Sequence, residues 1–465
     1  MPVEMGRLTN LQTLTRFIVG KDGGGGRSIK QLKCLNNLRG ELTISGLENV
    51  TIEEAREADL RGKQNIHSLQ LWWGTQRSDN GKMDDDDDDD VLEGLKPHPN
   101  LKSFFISDFG GTKYPTWMAP STGLSAYKNL IELRIQDCPR LEYVPPMLGE
   151  LAFLIVLKLT GMEKVKCIGR EFYYGSNNNS CSTCGTGATS SSSSETVVAF
   201  PSLNNLTLSG MFNLEDWLEV LPSFPSLEIL ILKSCPELKI MPSRFPSLKR
   251  LQFWSTNRMA LRSFSSNLIS VKVLQIYYCE ELKWVPERLL QNNAHVLESM
   301  IFYQCDKLET IFPSSQGRQE GSSPLPTPLV FPSLKVLEIY KCPLLKSLPD
   351  LRGMTSLRQL FLYGFKELKS LPEGLHRLTM LEFLEIGQFS EKGLQLDYIK
   401  GEEDLQNLVS LRGLRLYGWP QHKNLRDQLK HLTNLLFLRT AADYLTNMAC
   451  ELASDSLFHG TTSLP

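Results

Sequence analysis

The sequence predicts an α/β repeat solenoid: one elongated body of stacked units, each giving one short strand to a parallel β-sheet on the concave face and an irregular or short helical return on the convex side. Three observations carry this. An apolar pattern at relative steps 0, 3 and 5 recurs along almost the whole chain. Most of its spacings fall in the range of about 20 to 29 residues that single-strand repeat units occupy. Downstream of several strands an apolar residue is followed by proline, as in Leu282 to Pro286, Leu345 to Pro349 and Leu368 to Pro372, and proline suits a return that needs no ladder N–H.

The pattern begins at Leu130, Leu154, Leu203, Leu227, Leu248, Val271, Leu297, Leu334, Leu357, Leu381, Leu411 and Leu435. Ile66 and Leu101 open two earlier copies, while Leu11 to Leu14 and Leu38 to Ile44 fit only with slippage. Steps 3 and 5 have the two-residue period of a strand, so both side chains face the interior. A single unit cannot cover its own apolar face, and stacking is obligatory. The class is therefore a leucine-rich-repeat horseshoe.

This pattern divides the chain into irregular repeats over 1–174 with an acidic loop at 79–90, a Ser/Asn/Gly-rich loop at 175–199, regular repeats over 200–440 with a loop at 314–328, and a tail at 441–465. A net charge of −2 and a pI near 6.4 provide no basic field for nucleic acid or anionic lipid. No apolar run is long enough for a membrane span. Met1 to Gly20 lacks the hydrophobic centre of a secretory signal, since Arg7, Thr9, Asn10 and Gln12 interrupt it. A cytoplasmic protein is expected.

Five of the ten cysteines, Cys138, Cys235, Cys279, Cys305 and Cys342, fall at step 8, where other copies carry Met162, Met211, Phe365, Phe389 or Trp419. A position that accepts all of these is a buried packing site, and free cysteine acts there as a small hydrophobe. Cys181 and Cys184 have a metal-like spacing but no second pair nearby, whereas a zinc site needs about four ligands. The run Asp84 to Asp90 reads as a solvated, self-repelling loop; its sharper reading is a clasp for a basic surface. Asn49, Asn178 and Asn205 match the glycosylation pattern by chance. No phosphate loop, nucleophile elbow or zinc-binding histidine pair occurs. The expectation is no enzyme, no cofactor and no metal.

What recurs on the exposed face is aromatic. Step 6, just after the last inward residue, is Trp254, Tyr277, Tyr303, Tyr340, Tyr363 and Tyr417 in six copies. On strands about 4.8 Å apart these would form a ladder. Such residues are frequent binding anchors, and stacked aromatics equally stabilise a sheet; both readings stay open. Lys249, Arg250, Lys335, Glu338, Arg358, Glu382, Glu385, Arg412 and Arg415 would supply specificity around them.

The stretch from Met5 to Leu14, then Phe17 to Gly20, Leu35 to Ile44 and Leu47 to Val50, together with the Phe-Pro-Ser-Leu openings at Phe200, Phe224, Phe245 and Phe331, resembles the repeat region of plant coiled-coil, nucleotide-binding, leucine-rich-repeat disease resistance proteins. The resemblance implies repeats that sense pathogen effectors or guarded host proteins and restrain a nucleotide switch. Its partners would be such a protein ligand and a nucleotide-binding domain of an immune receptor, with no small-molecule substrate, nucleic acid or membrane span. Neither the coiled coil nor the nucleotide-binding domain is present, so a fragment or truncated product is expected. Two competing classes are a generic intracellular scaffold and an extracellular leucine-rich-repeat receptor fragment. The Gly-x-Ile-Pro turn of the latter is missing here.

Overall fold

A computed structural model describes residues 4–21, 27–74, 87–118, 126–174, 198–264, 267–311, 329–348, 350–367, 374–387, 405–417 and 429–441. The Cys181/Cys184 segment, the loop at 314–328, Asp84 to Asp86, Phe389, Trp419 and nearly all of the tail lie outside these residues. The chain forms two units, Met1–Leu268 and Ile269–Pro465.

The first unit contains strands β1 (Arg16–Ile18), β2 (Gly40–Ser45), β3 (Ile66–Trp72), β4 (Ser103–Ser107), β5 (Glu132–Gln136), β6 (Val156–Thr160), β7 (Cys167–Ile168), β8 (Asn205–Ser209), β9 (Asp216–Trp217), β10 (Ile229–Cys235) and β11 (Arg250–Thr256). All but β7 and β9 pair in parallel in chain order; β7 and β9 pair with each other on the return side. Helices α1 (Ile52–Glu57), α2 (Asp87–Gly94) and α3 (Arg258–Phe264) lie in the returns. The second unit contains β12 (Val273–Tyr277), β13 (Ser299–Tyr303), β14 (Val336–Tyr340), β15 (Gln359–Tyr363), β16 (Phe383–Gly387), β17 (Gly413–Tyr417) and β18 (Phe437–Ala441), again parallel and in chain order, with α4 (Glu287–Asn293) between β12 and β13.

Sequential parallel pairing with short or 3-10 returns is the leucine-rich-repeat solenoid the spacing predicts. Inward positions obey the 0, 3, 5 rule: Leu334, Leu337 and Ile339 are fully buried, as are Leu227, Leu230 and Leu232. Each such side chain contributes about 1.5–3 kcal/mol when removed from water. The ladder is also irregular just after Leu38. Gly40 pairs with Ile66 and Glu41 with Ser68, so β3 has one residue more than β2 between paired positions. The inward pairs Leu42 with Leu69 and Ile44 with Leu71 are in register again beyond it.

Step 7 explains the buried cysteines. In ten successive copies, from Asp108 through Asp137, Gly161, Gly210, Ser234, Ser255, Tyr278, Gln304 and Lys341 to Gly364, this residue has a positive φ between 47° and 82°. The left-handed turn ends the strand's alternation and swings step 8 inward. Its N–H usually donates to the step-6 carbonyl of the next strand, as Tyr278 does to Tyr303 and Lys341 to Tyr363. The step-8 residues Phe109, Cys138, Met162, Met211, Cys235, Cys279, Cys305, Cys342 and Phe365 are accordingly buried. None of the five cysteines forms a disulfide. Cys235 and Cys305 donate weakly to carbonyls of the preceding strand, Leu208 O at 4.0 Å and Ile276 O at 3.8 Å. Thr256 takes the same position and donates to Leu232 O at 3.3 Å.

The Phe-Pro-Ser-Leu openings line the opposite side of the core. Phe200 and Phe224 stack at 4.9 Å with an 11° interplanar angle, and Phe245 follows 5.6 Å from Phe224. Trp217 Nε1 donates to Tyr173 Oη at 2.8 Å, and that hydroxyl donates to Leu218 O.

The acidic segment is corrected in part. It is not a loop through residue 90, because Asp87 to Asp90 open α2. Carboxylates are favourable at a helix N-terminus, where N–H groups are unsatisfied. Asp89 also accepts bonds from the N–H groups of Thr112 and Lys113 and from the Thr112 hydroxyl, and Glu93 holds Thr116 in the same way. These acids tie one return to the next.

Candidate protein-recognition face

On the open face of the second unit, strand register determines what meets what. The step-6 row runs Tyr277, Tyr303, Tyr340, Tyr363, Gly387, Tyr417, each directly paired with the next. Ring centroids are 6.4 Å apart for Tyr277 and Tyr303, 6.1 Å for Tyr303 and Tyr340, and 6.2 Å for Tyr340 and Tyr363. The expected ladder is thus present in geometry, with one rung replaced by glycine. Trp254 occupies the same step in the first unit, with Lys233 Nζ 5.3 Å from its ring centroid.

Exposure divides the row. Trp254, Tyr277, Tyr303 and Tyr340 are half-buried and offer ring surface. Tyr363 and Tyr417 are only 5% and 8% exposed, a correction to the expectation that every step-6 residue is open. Gly387 is the reason: it leaves room between them, and their rings meet edge to face at 5.6 Å. Such aromatic pairs contribute about 0.5–1.5 kcal/mol beyond area burial.

Register also defines a second row, three of whose members, Glu338, Glu385 and Arg415, are among the charged neighbours expected around the aromatics. Step 4 runs Gln275, Ile301, Glu338, Phe361, Glu385, Arg415, Arg439. Phe361 stacks with Tyr340 at 6.3 Å and 25°. Arg415 reaches Glu385 at 3.1 Å and lies over the Phe437 ring at 5.4 Å, while Arg439 lies over Tyr417 at 5.8 Å. Burial, reinforced by the nearby Glu385 charge, raises the Glu338 carboxyl to about 7. Burial and Glu338 together push the Tyr277 hydroxyl up to about 12. Reading step 4 in the same alignment as step 6 would have exposed this row.

Several of the charged neighbours expected to face a ligand instead pair across strands at step 1. Glu298 bridges Lys272 at 3.0 Å and Lys335 at 2.7 Å, and the two ammonium groups hold its carboxyl below the usual range. Arg358 meets Glu382 at 2.7 Å, and Lys249 meets Glu228 at 2.5 Å. These exposed pairs add little stability individually; they form a row of mixed charge at the start of the strands.

The buried thiols are unsuited to nucleophilic chemistry. Burial raises Cys138 and Cys235 to about 12, and the adjacent Cys342 thiol together with burial holds Cys305 well above the ordinary range. Nucleophilic attack needs the thiolate. Among the described residues no cluster of three or more His, Cys, Asp or Glu could hold a metal ion, and no helix is long and apolar enough to cross a membrane.

Repeat and sheet define a leucine-rich-repeat protein. Residues 29–162 match the family described as R13L1/DRL21 LRRs. The repeats are homologous to those of plant disease resistance proteins. The chain is 33% identical over 302 residues to the putative disease resistance protein RGA1 of Solanum bulbocastanum, covering 63% of this chain and 26% of that protein. It is 27% identical over 373 residues to the putative disease resistance RPP13-like protein 1 of Arabidopsis thaliana, covering 77% and 30%. The chain thus spans less than a third of the length of these relatives. A leucine-rich repeat protein from Bacteroides thetaiotaomicron superposes with a TM-score of 0.51 at 13% identity over 92% of this chain and 49% of that one, a likeness of fold alone.

Proposed function

We propose that this chain is the recognition part of a plant disease resistance protein, a non-enzymatic, cytoplasmic module that binds a pathogen effector or a guarded host protein and regulates a nucleotide-binding switch. Homology of the repeats to disease resistance proteins supports the class. The observation that carries the binding site is the half-buried row Tyr277, Tyr303, Tyr340 on the open sheet face. Tyrosine offers a large amphipathic contact with few torsions to immobilise, which is why it recurs as an anchor. Within the first unit, Trp254 beside Lys233 offers the same kind of chemistry. Tyr363 and Tyr417 support this face from beneath its surface.

The test is to replace Tyr303 and Tyr340 together with alanine and compare capture of effectors and host proteins from infected plant tissue with the unaltered chain, alongside thermal melts. Loss of bound partners with a melt within a few degrees supports the reading. Unchanged capture, or a collapsed melt, rejects it and leaves the row a stabilising stack.

A further inference from the structure

The step-4 row contains two carboxylates, and the described residues supply a cation to only one. Glu385 faces Arg415 on the adjoining strand, at 3.1 Å, and the guanidinium is sandwiched further by Phe437. Glu338 has Phe361 at the equivalent adjoining position. Among the described residues, none forms a hydrogen bond or ion pair with Glu338. Its surroundings are apolar: Ile301 on the other side in register, and Tyr340 two residues along its own strand, stacked with Phe361 at 6.3 Å. A half-buried carboxylate without a counter-ion is costly. It stands beside ring faces that attract cations.

Deepening the proposed function, and resting on its reading of the open face as the binding surface, we infer that Glu338, Tyr340 and Phe361 receive an arginine side chain from an extended segment of the protein partner. The arginine would do for Glu338 what Arg415 does for Glu385. Its guanidinium is planar, so it can lie on a ring face and present its edge to a carboxylate. The groups around Glu338 favour this sign of charge. Tyr277 on β12, Tyr303 on β13, Tyr363 on β15 and Glu385 on β16 line the rows about it, Arg415 lies beyond Glu385, and Lys341 is drawn over the Tyr303 ring at 5.6 Å.

Because the Glu338 carboxyl is raised to about 7 in the free protein, binding a cation expels a proton, and affinity rises with pH through that value. Between pH 6 and 8 the charged fraction grows about tenfold, and affinity with it. Tyr277 and Tyr340, both raised, stay neutral there.

The experiment titrates the chain with acetyl-Ala-Arg-Ala-amide and its citrulline counterpart, followed by perturbation of tyrosine ring signals in NMR. Expected is binding of the arginine peptide at least tenfold tighter to the unaltered chain than to Glu338→Gln, no discrimination by the citrulline peptide, and a pH dependence that Glu338→Gln abolishes. Glu338→Gln should melt no lower than the unaltered chain at pH 8, so failure to fold is not the explanation. Equal binding of arginine and citrulline, or equal binding by Glu338→Gln, overturns the inference. If that happens while the Tyr303/Tyr340 double variant still loses its partner, the binding face stands and only the arginine assignment falls.

Discussion

Tyr363 and Tyr417 lie on strands that are not neighbours, yet their rings touch edge to face at 5.6 Å because Gly387 between them has no side chain. A Cβ on Gly387 would lie 2.4 Å from Tyr417 Cβ and 2.9 Å from its carbonyl oxygen. The backbone at that oxygen cannot rotate away. Gly387→Ala is therefore expected to destabilise the second unit by about 1–3 kcal/mol through overpacking, read as a lower denaturation midpoint. An unchanged midpoint would mean that the ring contact is dispensable.

Glu338 gives the apo protein a pH-dependent stability of defined sign. Its folded carboxyl is raised from 4.5 to about 7, so the folded state holds more protons than the unfolded one between those values. Stability should fall as pH rises from about 4.5 to 7 and then level off. Glu338→Gln removes this decline and should be more stable above pH 7 by up to roughly 3 kcal/mol. Chemical denaturation at pH 5 and pH 8 checks it; equal slopes in both proteins would contradict the assignment.

Asp89 and Asp90 are adjacent in sequence and opposite in consequence. Asp89 accepts three hydrogen bonds from Thr112 and Lys113, whereas Asp90 is exposed. Asp89→Ala should cost about 1–3 kcal/mol and speed proteolysis near residues 112–118. Asp90→Ala should stay within about 0.5 kcal/mol. Similar losses for both would assign the effect to helix charge.

Cysteine reactivity should sort by depth. Cys34 and Cys167 are exposed, while Cys138, Cys235, Cys279, Cys305 and Cys342 are buried and form no disulfide. At pH 8 in the native state a thiol reagent should label the first two rapidly and the five only upon unfolding. In denaturant without reductant all ten cysteines of the sequence should react; a smaller number would reveal disulfides and revive the extracellular class.

Much of this was legible in the sequence because the inward rule depends only on period. Leu334, Leu337 and Ile339 announce a strand whose inner face is apolar, and every regular copy repeats the signal. Step 8 was legible as buried from its composition. The reason for its burial was not, since residues as different as Asp108, Tyr278 and Lys341 share one left-handed backbone conformation, and only Gly161, Gly210 and Gly364 of the ten are glycine. The tyrosine row was legible by register, but not its division into open and covered members, which depends on the missing side chain of Gly387. Glu338 and Glu385 look equivalent in sequence. Only register shows that one faces Phe361 and the other Arg415.

The left-handed column at step 7 also predicts which changes the molecule can absorb. Seven of its ten members are not glycine, and each bears backbone strain on the order of 1 kcal/mol. Substitution by glycine or asparagine relieves that strain, whereas valine, isoleucine or threonine, whose branched Cβ is least compatible with positive φ, raises it. In a saturation library screened for soluble expression, these positions should therefore be depleted of branched residues yet tolerant of nearly every other type. Each would be hypervariable in identity and narrowly restricted in shape, at the rim where the sheet turns away from its open face.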